Sequence, residues 1–288
     1  MNDDTSAKIA VAVQAGSVGS ARRVFAGGRQ LLDNAKMTND SLPVDTLTRQ
    51  LVTAWRTGQL LDESAVAPPD YADQAYQVQL RVAREMHWPL DTPVRAWKVG
   101  AANRTAQPNA AFLWSHGLHN SPAQVDAGTL PLLGIEGEIA VRIANVTPTG
   151  NGLPKVEIDA CCVSIELVCS RFAHSEALHP LLKLADQGLH QGLVLGQWNS
   201  HWPDDWSAVS CRLTIDGQPM TQATGTHPCT DPTFSLSWLA RHAAAMQMPL
   251  RAGDIVTTGS WIGLVKLAPG SLAEVEFADI GKAVLQLR

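Results

Sequence analysis

The 288-residue sequence has little of what would settle a function at a glance. Its five cysteines are an odd number for a chain of this size and lie mostly inside apolar runs, which excludes a disulfide framework and suits a reducing cytoplasm. Basic residues are not in excess: 22 Lys and Arg stand against 27 Asp and Glu, for a net charge of −5, and they are scattered. No face for nucleic acid is therefore expected. No apolar run approaches the ~20 residues of a membrane helix. The opening lacks the contiguous apolar segment and cleavage site of a secretory signal, and its Arg22 and Arg23 give only a faint likeness to a targeting sequence. Also missing are a phosphate-cradling glycine loop, a nucleophile elbow and a nicotinamide fingerprint; Gly16-Ser17-Val18-Gly19 is too poor a match. Metal and acid–base chemistry remain.

Apolar residues at 45% and charged residues at 17% are those of an ordinary globule with ample core. Residues 1–40 are rich in Ala, Gly and Ser and have no strong periodicity, so they read as a flexible or partly helical extension, with a helix between Ala21 and Ala35. Met37 is an alternative start, and a chain beginning there is expected to be active. Residues 41–92 turn helical: Leu47, Leu51, Trp55 and Leu60 recur at helical spacing, and a second helix runs over 72–86, with Pro68-Pro69-Asp70 as break and N-cap. Residues 93–288 form a β-rich catalytic domain, with strands expected at 95–99, 135–143, 156–168, 193–197, 209–215, 255–258 and 271–277 and helices at 180–187 and 234–246. Asp216-Gly217 marks a hairpin turn. The class is α+β. Nine tryptophans against two tyrosines point to aromatic-rich core and contacts, and a homo-oligomer is expected.

In the apolar run 133–141, Glu136 and Glu138 are two residues apart. Strand alternation puts both on one face, with Ile135, Ile139 and Val141 on the other. Adjacent acids repel, so either the strand edge meets solvent or the pair meets a cation. Glu166 lies at the centre of a second apolar strand and needs a partner, either Arg171 or an ion shared with Glu136 and Glu138. Three carboxylates with no His or Cys at zinc spacing favour a hard cation, Mg²⁺ or Mn²⁺, with Ca²⁺ as a further option. Lys98, between Trp97 and Val99, is costly to bury unless it meets an anion. Asp186, before Gln187-Gly188, either closes a helix or takes part in chemistry. Ser260 follows Gly259 in a turn whose amides could hold a carboxylate, or is an ordinary turn serine. His116, His119 and His227 read as solvated loop residues.

The run Ile135-Glu136-Gly137-Glu138-Ile139-Ala140, followed by Ser164-Ile165-Glu166-Leu167-Val168-Cys169-Ser170-Arg171, resembles the fumarylacetoacetate hydrolase superfamily, within it the branch of 2-oxopent-4-enoate hydratases and 4-oxalocrotonate decarboxylases. Trp97-Lys98-Val99-Gly100, Leu184-Ala185-Asp186-Gln187-Gly188, Gly192-Leu193-Val194-Leu195-Gly196 and Gly253-Asp254-Ile255-Val256-Thr257-Thr258-Gly259-Ser260 are similar to blocks of that branch, in the same order. The resemblance spans residues 45–288. It implies a helical N-terminal section followed by a mixed β-sandwich or roll, with a divalent ion on Glu136, Glu138 and Glu166. It places Lys98 against the substrate, where it binds a carboxylate or moves a proton; Asp186, within a matching block, is expected to be a further catalytic group, and Ser260, in its turn, and Arg104, in the polar loop 102–105, are expected to bind substrate. The implied reaction is hydration of a 2-hydroxy-2,4-dienoate from aromatic-compound breakdown. Decarboxylation of a 2-oxo-3-enedioate is the alternative; it would call on Arg104 or Arg171 for the second carboxylate, whereas Trp261-Ile262-Gly263-Leu264 suits a hydrocarbon tail. Acylpyruvate hydrolysis comes third, because the His–Glu motif of the superfamily's carbon–carbon hydrolases has no clear counterpart here. The branch also allows a non-catalytic subunit, or association with a related hydratase or decarboxylase.

Overall fold

The computed structural model describes residues 41–126, 128, 132–150 and 152–288. The extension 1–40, with its expected helix and alternative start, lies outside the described residues. Two helices come first, α1 (Ser41–Thr57) and α2 (Ala72–Glu85). Their apolar stripes, Val44, Leu47, Leu51 and Val52 on α1 and Ala75, Val78 and Val82 on α2, bury against Phe172, Leu178 and Leu182. The expected N-cap is displaced: Tyr71 flanks the first turn of α2 without a side-chain bond. Gln74 Oε1 reaches back to accept from the Asp70 amide at 2.8 Å, so the bond at this end runs from the preceding loop to a helix side chain, the reverse of the cap expected of Asp70.

Next come β1 (Ala96–Gly100), β2 (Asn109–Leu113), β3 (Leu118–Asn120), β4 (Ala123–Val125), β5 (Leu132–Thr147) and β6 (Lys155–Cys169). Helix α3 (Pro180–Ala185) leads into β7 (His190–Leu195), β8 (Ser210–Ile215) and β9 (Gln218–Thr224). Helix α4 (Leu236–Ala245) precedes β10 (Ile255–Ser260), β11 (Leu272–Phe277) and β12 (Gly281–Leu287). One sheet has the order β2-β1-β10-β5-β6-β7-β3 and the other β4-β12-β11-β8-β9. Three pairings are parallel, β1 with β10, β3 with β7 and β12 with β4, so the sheets are mixed. Asp216 and Gly217 both have positive φ, as the turn between β8 and β9 requires. Strands β2, β3, β4, β9 and β12 are absent from the expected set, and β5 and β6 are longer than expected.

A single apolar cluster joins the sheets: Ile135, Ile139, Val141, Val163 and Ile165 meet Leu213, Val275, Phe277, Ala283 and Leu285. This is the mixed sandwich of the expected class. Gly137 belongs to that buried face, where an added Cβ would lie 3.0 Å from Val275 Cγ1 and 3.1 Å from Ile262 Cδ1. The second sheet thus approaches closely behind the very residue that separates Glu136 from Glu138. None of the nine tryptophans is exposed, so this one chain's core and partly covered surfaces account for their number. No described helix is long and apolar enough to cross a membrane.

Candidate metal centre and active site

Antiparallel pairing of β5 and β6 sets Glu136 opposite Glu166 and Glu138 opposite Ser164. Glu136, Glu138 and Glu166 therefore share one face, with one carboxylate oxygen from each lying within 4.8 Å of the others. Glu138 and Glu166 are buried and Glu136 is half-buried. Pairing of β10 with β5 brings Thr257 Oγ1 and the Gly259 amide onto Glu138 Oε2, the amide at 3.0 Å. Lys98 sits opposite Thr257 across the parallel β1–β10 pair. Its Nζ donates to Glu166 Oε1 at 2.5 Å and to the Gly188 carbonyl at 3.0 Å. The second partner of Glu166 Oε1 is His190 Nδ1 at 2.9 Å.

Burial sets the charges of the cluster. Burial, then Glu166, pushes the Glu136 carboxyl up to about 7, against the pull of Lys98. Burial, Glu166 and Glu136 push Glu138 up to about 8, offset in part by Lys98 and the Thr257 bond. Glu166 goes the other way: burial raises it, but Lys98 and His190 together outweigh burial and hold it down at about 2. Burial lowers Lys98, and the three glutamates more than compensate, so its ammonium is held above its ordinary range. Burial pulls His190 below its usual value despite the Glu166 bond.

One atom tests whether a cation belongs here. Glu166 Oε1 takes two donors, while Glu166 Oε2 is buried and has no partner. A buried carboxylate oxygen is costly to leave unpaired, and this one belongs to a residue clustered with two further acids. With oxygen as the only donor element, the set fits a hard divalent ion.

Several expected residues lie elsewhere. Arg171 is not the partner of Glu166. Strand β6 ends at Cys169 and the chain turns, so Arg171 Nε meets Asp186 Oδ1 at 2.5 Å with both side chains fully buried. Asp186, expected among the catalytic groups, has its other oxygen taken by the Arg171 amide at 3.0 Å. Burial raises its carboxyl to about 6, with Arg171 pulling against it. The chain that follows Asp186 leads directly to the lysine. Gln187, Gly188 and Leu189 have φ of 52°, 61° and 66°, a left-handed run that aims the Gly188 carbonyl at Lys98. A Cβ on Gly188 would lie 3.4 Å from Lys98 Cδ, an ordinary contact distance, so the Lys98 side chain packs directly over this turn.

Ser260 lies opposite Glu138, half-buried, with Oγ donating to the Gly263 carbonyl at 3.3 Å. The neighbouring Gly259 amide, expected to hold a ligand carboxylate, holds Glu138 itself. Arg104 is exposed, with its guanidinium 4.7 Å over the Phe234 ring. The segment expected to receive a hydrocarbon tail is buried at Trp261, which packs edge-on to Phe277 at 5.2 Å, and half-buried from Ile262, behind Gly137, to Leu264. His227 is buried and bonded through both nitrogens, to the Thr258 carbonyl at 2.9 Å and the Cys229 amide at 3.2 Å, and so is not a solvated bystander. Sequence reasoning missed His190, Thr257 and Gly188. His190 falls between two blocks that carry the resemblance, and its only local signal is a histidine at the head of an apolar strand.

Fold and site together define a class: a mixed β-sandwich preceded by helices, with an acidic, all-oxygen centre beside a lysine. The chain belongs to the fumarylacetoacetate (FAA) hydrolase C-terminal family, whose model matches residues 81–288. It is 22% identical over 263 residues to a 2-hydroxyhexa-2,4-dienoate hydratase of Comamonas testosteroni, across 86% of this chain and 98% of that one. It is 39% identical over 56 residues to a 2-keto-4-pentenoate hydratase of Paraburkholderia phymatum, across 19% of this chain and 21% of the other. Among solved structures, the 4-oxalocrotonate decarboxylase of Pseudomonas putida G7, complexed with magnesium and adipate, has the same fold: TM-score 0.73, 20% identity, covering 88% of this chain and all of that one.

Proposed function

We propose that the protein is a divalent-metal-dependent hydro-lyase that adds water to a 2-hydroxy-2,4-dienoate and yields a 4-hydroxy-2-oxo acid. The observation that carries this reading is the unpartnered, buried Glu166 Oε2 within a cluster of three glutamates beside Lys98. Near full-length similarity to a dienoate hydratase supports the choice of reaction. Glu136, Glu138 and Glu166 would hold Mg²⁺ or Mn²⁺. Such an ion supplies an electron sink for the carboxylate and 2-oxygen of a 2-oxo acid.

The chain's own groups do the rest. An ammonium has three donors, and Lys98 uses two of them on Glu166 and Gly188. The third is left for an anionic oxygen of the substrate or for moving a proton to or from it. Substrate enters past Glu136 and Lys98, the two members of the centre that are not fully buried. Ser260, across from Glu138, offers its hydroxyl at the same rim. Of the cations that a second carboxylate would call on, Arg171 is held by Asp186, which favours a monoanionic dienoate over an enedioate, and Arg104 lies exposed over the Phe234 ring.

The test is a substrate panel followed by ultraviolet absorbance with and without Mg²⁺ or Mn²⁺. 2-Hydroxypenta-2,4-dienoate or a longer alkyl homologue should be consumed, only with metal, and without CO₂. Stoichiometric CO₂ from 2-oxo-3-hexenedioate, with no hydration of the dienoate, would replace this reading with a decarboxylase. Lys98→Met should lower turnover by ~10²–10⁴, the usual worth of a positioned proton-transfer group, while Mn²⁺ binding persists. Full turnover in that variant would remove Lys98 from the chemistry.

A further inference from the structure

We infer that His190 is a positioning residue for this centre: by donating from Nδ1 to Glu166 Oε1 it holds the carboxylate with Oε2 presented to the ion. The inference rests on the reading of Glu136, Glu138 and Glu166 as a metal site. The β6–β7 ladder runs Ser164↔Leu195, Ile165↔Val194, Glu166↔Leu193 and Leu167↔Gly192, then skips to Val168↔His190. Gln191 is the extra residue of a bulge. In a regular ladder Gln191 would face the way Glu166 faces and His190 would face away; the bulge turns the imidazole onto the glutamate face. Gln191 Oε1 in turn accepts from Arg171 Nη1 at 3.2 Å.

The ring is clamped on several sides. Arg171 Nη1 also binds the His190 carbonyl at 3.1 Å, and the Trp114 ring meets the imidazole edge-on at 5.0 Å. His190 is fully buried. An ionised carboxylate only accepts, so Nδ1 is the donor. Lys98 alone could be served by either oxygen of Glu166. With two donors converging on Oε1, rotating the carboxylate would break both bonds at once, and the orientation that leaves Oε2 free is fixed. Partners that orient metal ligands in this way are typically worth ~10–100-fold in metal affinity.

Mn²⁺ binding by the full-length protein, measured by electron paramagnetic resonance, provides the test. His190→Leu keeps the bulk and removes the donor; His190→Asn keeps an N–H near the place of Nδ1. The leucine variant should bind Mn²⁺ ~10–100-fold more weakly, and the asparagine variant should recover most of that loss. The Mn²⁺ concentration for half-maximal turnover should rise in step in His190→Leu, while kcat at saturating Mn²⁺ returns close to the parent's, a split that a merely damaged fold would not produce. Equal affinity in parent and His190→Leu would overturn the inference alone. A parent that binds no Mn²⁺ would overturn the metal reading beneath it. Should His190→Leu not fold, ¹⁵N-histidine spectra of the parent decide: a proton on Nδ1 is expected, and a ring protonated only on Nε2 would overturn the assignment.

Discussion

Glu138→Gln is expected to abolish divalent-metal binding and activity while leaving the metal-free protein at least as stable as the parent. Glutamine has the same shape, and its one carbonyl oxygen can still accept from Thr257 Oγ1 and the Gly259 amide, as Glu138 Oε2 does. The remaining position becomes an NH₂ group, which donates and cannot ligate. With no ion bound, three carboxylates converge within 4.8 Å and Lys98 is bonded to Glu166 alone, so removing one acid relieves crowding of like groups. A ligand that binds only the folded state stabilises it by about 2.7 kcal/mol at a hundred times its Kd. Thermal melting of the parent should therefore rise with Mn²⁺, and that of Glu138→Gln should not move. An equal Mn²⁺-induced rise in both would show that Glu138 is no ligand.

The carboxylate centre was legible because its cause is local. A period of two puts Glu136 and Glu138 on one face, and an acid in the apolar strand around Glu166 demands a partner. The identity of that partner was not legible. Arg171 is five positions from Glu166 in sequence, whereas Lys98 and His190 come from strands paired through β10, β5 and β7, and the His190 contact depends on a single inserted residue, Gln191. The same limit explains Asp186: nothing in Ala185-Asp186-Gln187 reveals that a guanidinium lies over it. Trp261 and Ile262 show that an apolar run does not say which side it serves; both turn into the sandwich. Strands β3 and β4, three residues each, are too brief to carry a period, and β2 is buried at four successive positions and so shows no alternation. Strand β12 does carry one, Ala283, Leu285 and Leu287 all buried, and a stricter count of alternation would have found it.

Breaking the Arg171–Asp186 pair from either side should produce the largest loss of stability of any substitution near the site. Both side chains are fully buried. Arg171 donates five bonds, two to the Asp186 carboxylate counting its own amide, and one each to the carbonyls of Asp186 and His190 and to Gln191 Oε1. Its guanidinium also lies 4.1 Å over the Trp55 ring, which ties α1 to the same point. Removing one partner strands a buried charge, and such losses run to about 3–5 kcal/mol, against a total stability of about 5–15 kcal/mol for a folded domain. Urea unfolding of Arg171→Met and of Asp186→Leu should each show a drop of that size. The double variant should regain a good part of it, because no unpaired charge remains. Turnover should stay low in the double variant even where stability returns, since the left-handed turn that points Gly188 at Lys98 loses its brace, and so does the backbone of His190. Asp186→Asn separates this account from the catalytic role that the sequence also allowed. It should lose stability and activity together; a variant as stable as the parent yet inactive would place Asp186 among the catalytic groups.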